Sequence, residues 1–324
     1  MIFRFLAATM GLVSLLASLP AQTRPQSMSK DSIVGRTPDG HPDLQGIWNL
    51  MTATPLERPA EFAGKATVTD AEARAFEKKD RRDVVDIGNP QFDQAQEAVG
   101  AYDSDFWDDG RQLARVHGVK RTSLIIDPPD GKLPPRTEEG KKRIAFIVES
   151  YSHYDKVQDR PISERCLSDS EVPIIPFGAD DNVQIVQTPG SILILSEVIH
   201  DARIVRMNAT HLPSNIRLWL GDSIGRWVGE TLVVDTTNFN NQMAARGTGE
   251  KLHVIESFSR IDANTLLYKA TVEDPAMFTS PWTMEYPFAA TSKPIFEYAC
   301  HEGNYALPDI LAGARKSEGA WGAK

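Results

Sequence analysis

The chain has 324 residues, 41% of them hydrophobic, with 35 basic against 44 acidic side chains and a net charge of −9. That length suits one large β domain or two small ones, and the apolar share is ample for a core. A net negative chain repels phosphate backbones and anionic lipid, which argues against nucleic-acid and membrane-surface partners.

Residues 1–21, MIFRFLAATMGLVSLLASLPA, carry one early positive charge (Arg4), an apolar run and a small residue at Ala21. This is the pattern of a secretory signal peptide, too short for a membrane span, with cleavage expected after Ala21. Losing it removes one arginine and takes the net charge to about −10. The expected location is therefore periplasmic or secreted. The two cysteines are Cys166 and Cys300. An even count in an exported chain predicts a disulfide, with two buried free thiols as the alternative. Closing so long a loop stabilises by roughly 4–5 kcal/mol in the chain-entropy picture.

Residues 22–40 are polar and rich in Ser, Pro and Gly, a flexible lead-in. PDLQGIWNL then reads as a turn and a short strand carrying Trp48. Thr69-Asp70-Ala71-Glu72 is a capping box opening a helix through AEARAFEKKDRRD. Lys78, Lys79, Arg81 and Arg82 fall in its last turn, opposite the negative helix end. Residues 89–110 are acidic and aperiodic, with Phe92, Tyr102, Phe106 and Trp107. Long loops of this kind often wall a site.

RTSLIIDPPDGKLPP predicts a buried strand over 123–126 stopped by prolines. TEEGKKRIAFIVESY predicts a second helix capped by Thr137, with Ile144, Ile147 and Val148 on one face. An extended proline-rich connector around Cys166 follows. Then come seven apolar runs read as strands: NVQIVQTPG, SILILSEVIHDARIV, RWVGETLVVDTTNF, KLHVIESFSRI, NTLLYKATVED, WTMEYPF and PIFEYACHEGN. ALPDILAGARK closes the chain as a short helix. The expected fold is mainly β: an antiparallel barrel-like or strongly curved sheet with a few peripheral N-terminal helices and long loops. Past the leader and lead-in, 41–324 forms a single β-rich domain. Its parts are the N-terminal helices and loops (41–165), the main strand series (166–303) and a C-terminal helix and tail (304–324).

Ionisable residues interrupt those strands where a plain core would place valine. Buried unpaired groups are costly, so such residues satisfy one another or line a wet pocket. His200, Asp201, Arg203, His253, Glu256, His301 and Glu302 supply the parts of an acid/base site. His200 or His253 would be the base, Glu256 or Glu302 a partner or acid, and Arg203 an anchor for negative charge. Period-two alternation sets His200 opposite Asp201 and Arg203, and His253 opposite Glu256. A second reading makes His200, His253 and His301 a zinc site, although no HxH or HExxH pair fixes two ligands locally. Taken singly, each is more often a hydrogen-bonded structural residue than a catalyst, and Arg203–Asp201 or Arg260–Asp262 a surface ion pair. No G-x-S-x-G elbow, P-loop or G-x-G-x-x-G is present, and Ser223 in GDSIGRW is read as a turn residue.

At PDGHPDLQGIWN, RTSLIIDPPDGKLPP, SEVIHDARIV, GDSIGRWVGETLVVDTTNF, LHVIESFSRID and EYACHEGNYAL the chain resembles a group of exported bacterial proteins of acidobacteria and proteobacteria. The likeness covers nearly all of the chain beyond the leader and implies no particular reaction. Gly46-Ile47-Trp48 is similar to the opening strand of lipocalin-type barrels, a likeness of fold alone.

The expected function is a periplasmic or secreted enzyme of lyase, isomerase or hydrolase type. It would act by His/carboxylate acid–base chemistry on a small, partly apolar substrate held in a barrel-like pocket. The alternatives are a non-catalytic binder of a small hydrophobic ligand and a three-histidine zinc enzyme. The expected cofactor is accordingly none, or one zinc ion. The expected partner is a small molecule, with oligomeric state left open.

Overall fold

The computed structural model describes residues 35–79, 110, 112–168, 172–176, 182–241 and 247–322. The leader, most of the lead-in, Arg81, Arg82 and the acidic stretch up to residue 109 lie outside the described residues.

Nine strands close on themselves as a barrel: β1 (Gly46–Asn49), β6 (Asn182–Gln187), β7 (Ser191–Ser196), β8 (Ala202–Met207), β9 (Asp222–Val228), β10 (Thr231–Thr237), β11 (His253–Arg260), β12 (Thr265–Glu273) and β13 (Trp282–Thr291). β1 pairs with β6 on one side and β13 on the other, which seals the ring. Antiparallel neighbours alternate in direction, so a ring with an odd number of strands closes only if at least one pair is parallel. β8 and β9 are that pair, with Val205 opposite Ser223 and Met207 opposite Gly225. A parallel connection must return along the barrel wall, and residues 208–221 do so.

The lumen is a packed core. Period-two alternation turns Leu232, Val234 and Thr236 of β10, Val254, Glu256 and Phe258 of β11, and Leu266, Tyr268, Ala270 and Val272 of β12 inward, each at most 1% exposed. Trp282, Met284, Tyr286 and Phe288 of β13 do the same. Tyr268 and Phe288 stack at 4.9 Å, and Tyr286 meets Tyr268 edge-on at 5.6 Å. Aromatic contacts of this kind add about 0.5–1.5 kcal/mol per pair beyond area burial. Small barrels are commonly filled in this way, and here side chains occupy the lumen that sequence reasoning assigned to a ligand.

β5 (Ile125–Asp127) extends the sheet beyond β13. β2 (Thr67–Val68), β3 (Arg115–Val116) and β4 (Val119–Arg121) form a separate three-stranded sheet. Its side of the molecule has its own apolar cluster of Ala53, Phe62, Val68, Ala73, Phe76 and Leu113. The helices are α1 (Asp70–Lys79), α2 (Glu138–Ser150) and α3 (Ala306–Gly322). Both predicted caps form: Thr69 and Glu72 exchange bonds at 2.9 and 3.3 Å, and Gly140 N–H donates to Thr137 Oγ1 at 2.9 Å. α2 packs Ile144 against the core but leaves Val148 65% exposed, so the predicted apolar face is only partly used.

Three predicted strands need correction. SILILSEVIHDARIV is a hairpin, β7 and β8, reversed by a short 3-10 turn over Val198–His200. One strand of that length would span roughly 50 Å, far beyond the wall of this barrel. Ser196 N–H bonds Asp201 O at 2.9 Å across the reversal. RWVGETLVVDTTNF is likewise two strands, turned where Gly229 takes φ +59°. Ser223 therefore lies in β9, buried, with its hydroxyl 2.9 Å from Thr236 Oγ1. PIFEYACHEGN forms no strand, because the ring is already closed by β13 and β1.

Candidate functional site

Strand directions gather one end of the barrel from the starts of β6, β8, β9, β11 and β13 and the ends of β1, β7, β10 and β12. Five of the seven predicted catalytic residues (His200, Asp201, Arg203, His253 and Glu256) belong to this end, and the disulfide ties His301 and Glu302 to it. They fall into three separate groups.

The first group is inside. Arg203 and Glu256 lie on strands three places apart in the ring and reach across the lumen to form a bidentate pair, Nη1 to Oε2 and Nη2 to Oε1, the latter at 2.8 Å. Tyr268 O–H donates to Glu256 Oε1 at 2.8 Å and accepts the Ile174 N–H at 2.8 Å. Tyr286 O–H donates to Ile174 O at 3.0 Å, so the 172–176 segment is bonded over this end of the core. Burial opposes the Arg203 charge, but the charge and hydrogen bonds of Glu256 outweigh it and hold the guanidinium above its ordinary pKa. Burial, then the Glu256 charge, push the Tyr268 phenol well above its usual value, so it stays a donor. With Arg203 5% and Glu256 0% exposed, neither can meet a substrate from solution. They hold the core together.

The second group forms the rim. Glu197 is 1% exposed and accepts from Asn182 Nδ2 at 2.6 Å and Phe296 N–H at 2.7 Å. Next to it Ile199 and His200 take φ +54° and +53°, a region that a β-branched residue enters only under constraint. His200 Nε2 accepts the Tyr298 N–H at 3.1 Å, and Asp201 Oδ2 accepts from Ser168 Oγ at 2.6 Å. Cys166 and Cys300 form the expected disulfide, Cα–Cα 5.7 Å. His301 and Glu302 beside it are exposed. The His200 ring thus staples the C-terminal segment to the barrel.

The third group lies on the outer wall. Asp235 faces outward from β10, and His253, its diagonal neighbour on β11, faces the same way. His253 Nε2 stands 2.9 Å from Asp235 Oδ1. The 208–221 crossover lays His211 against the same wall, with Nε2 3.2 Å from Asp235 Oδ1 and Nδ1 3.0 Å from Asp222 Oδ2. Arg206 and the Leu212 N–H complete Asp222, both at 2.8 Å. Burial would raise the Asp222 pKa, but the Leu212, Arg206 and His211 bonds prevail and hold it below the usual carboxylate range. A relay runs Arg206–Asp222–His211–Asp235–His253. Carboxylates engage both His211 nitrogens, so that ring is a link. His253 is engaged at Nε2, while its Nδ1 lies 3.9 Å from the exposed Glu273 carboxylate, too far for a hydrogen bond. A ring protonated at Nε2 has its lone pair on Nδ1 and is 40% exposed.

Of the predicted zinc set, His200 and His301 belong to the rim, where His200 accepts the Tyr298 N–H, and His253 belongs to the outer wall against Asp235. Among the described residues no group of three or more His, Cys, Asp or Glu is arranged to hold a metal ion. Arg203–Asp201 and Arg260–Asp262 are not the ion pairs expected: Arg203 pairs with Glu256, and Arg260 donates to the Asp262 carbonyl. Sequence reasoning missed His211, Asp222, Asp235 and Arg206. The hairpin alternation could have put Asp235 beside His253, but His211 arrives only through the parallel crossover. Comparison with family models, with curated proteins and with solved structures finds no match.

Proposed function

We propose that this protein is an acid–base enzyme of hydrolase, lyase or isomerase type, with His253 as the general base and Asp235 orienting it. The observation that carries this reading is the His253–Asp235 dyad: one ring nitrogen bonded to a carboxylate at 2.9 Å, the other without a hydrogen bond and 3.9 Å from the exposed Glu273 carboxylate. A carboxylate on one side of an imidazole fixes its tautomer and stabilises the imidazolium that forms when it takes a proton. His211 holds Asp235 from behind and is itself held by Asp222, so both are positioning residues. Ile255, directly opposite Asp235, gives the dyad an apolar flank, which supports a small, partly apolar substrate.

The test pairs a reaction panel with variants. p-Nitrophenyl esters report hydrolysis, and deuterium uptake by 2-oxo and 2-hydroxy acids in heavy water reports proton abstraction. His253→Ala should lower turnover by about 100-fold or more, the range of a positioned general base, with melting unchanged. Asp235→Asn should weaken turnover and move its pH profile. A His253→Ala protein as active as the parent, or a parent inert across the panel, counts against catalysis and for a binding role.

A further inference from the structure

The opposite end of the barrel carries a different feature. β11 runs from His253 to Arg260, so the two ends stand on the order of 23 Å apart by strand rise. Between the Arg260 end and the small sheet opens a cleft of about 1040 Å³. That is the size of a small-molecule site. Met51, Ile261 and Pro287 supply apolar wall.

The cations lining the cleft differ in what they have left to give. Arg36 is paired with Glu230 at 2.8 Å, Lys120 with Glu77 at 3.2 Å, and Arg115 with Asp70. Arg260 has no carboxylate partner among the described residues. Its guanidinium lies over the Trp48 ring, 5.2 Å from the centroid, and donates to the carbonyls of Asp43, Asp262 (3.3 Å) and Ala263 (2.7 Å). The Asp262 carboxylate is turned to the Asn264 N–H at 2.8 Å. Carbonyls fix a guanidinium without neutralising it, and three bonds leave donors of its five unused. Glu230 and Asp262 also line the cleft, which disfavours a doubly charged ligand.

We propose that this cleft binds a small monocarboxylate bearing an apolar tail, anchored by Arg260. The site is independent of His253. Calorimetry with octanoate, octyl phosphate and octylamine tests it on the full chain. Octanoate should bind one to one, octyl phosphate at least several-fold more weakly, and octylamine not at all. Arg260→Gln should weaken octanoate at least tenfold, while Arg260→Lys retains most of the affinity. Because Arg260 also ties local backbone, Thr265→Glu, on the half-buried cleft wall, serves as a second variant and should weaken octanoate similarly in a protein with parental melting. The proposal is overturned if octylamine binds as well as octanoate, if octyl phosphate binds tighter, or if Arg260→Gln and Thr265→Glu leave octanoate affinity unchanged.

Discussion

Replacing Glu256 by Gln keeps the shape of the side chain and removes its charge, leaving the Arg203 guanidinium 5% exposed with no counter-ion. Removing one partner of a buried ion pair typically costs 3–5 kcal/mol. The Gln carbonyl can still accept one bond from Arg203 or Tyr268, which sets the expectation at the lower end, about 3 kcal/mol. That is roughly a fifth to three-fifths of the stability of an ordinary domain. With a urea slope near 3 kcal/mol/M, the midpoint should fall by about 1 M. Arg203→Met should cost a comparable amount. The double variant Arg203→Met/Glu256→Leu removes both charges and fills the space with apolar atoms. It should recover most of the loss, because the desolvation of the pair is then no longer required. Urea unfolding of the three variants decides the matter. A single-variant cost below about 1 kcal/mol, or a double variant worse than the two singles combined, would falsify the buried-pair account.

Other consequences are open to measurement. The Asp222 carboxylate is held below its usual range, so its contribution is present above the unfolded value near 3.9 and is lost as pH falls through the lower folded value. Asp222→Asn should therefore flatten the acid limb of a stability profile below about pH 4, and equal slopes in both proteins would refute this. Reducing the Cys166–Cys300 bond frees a loop with a sequence separation of 134 and should cost about 5 kcal/mol in the chain-entropy picture. A urea midpoint unmoved by reductant would contradict that. An added Cβ at Gly225 would sit 2.7 Å from Val205 Cγ1 and 2.8 Å from Met207 Sδ, where the parallel strands meet. Gly225→Ala should cost about 1–3 kcal/mol by overpacking, and a variant melting at the parental temperature would show that contact to be slack.

Much of the architecture was legible locally. The capping box at Thr69, the N-cap at Thr137 and the alternation in β10, β11 and β12 all depend on neighbours within a few residues. Alternation alone also separated His253 from Glu256, and the structure sets one outside the wall and the other in the core. The same rule failed across residues 191–205, because a period-two pattern carries through a reversal whose backbone is held by a distant partner. Glu197 is bonded to Asn182 and to the Phe296 N–H, 99 residues away. The even cysteine count, read with the expected export, foretold the disulfide.

The sequence by itself determined a β-rich chain with two capped helices, one disulfide and ionisable residues set into apolar strands. Tertiary structure decided how those residues are shared out. Closing nine strands requires a parallel pair, the parallel pair requires a crossover along the wall, and the crossover brings His211 to Asp222 and Asp235. Likewise, Arg203 meets Glu256 only because the ring curves their strands to face each other across the lumen. Closure is a global condition on all nine strands at once, so no window of local sequence carries it.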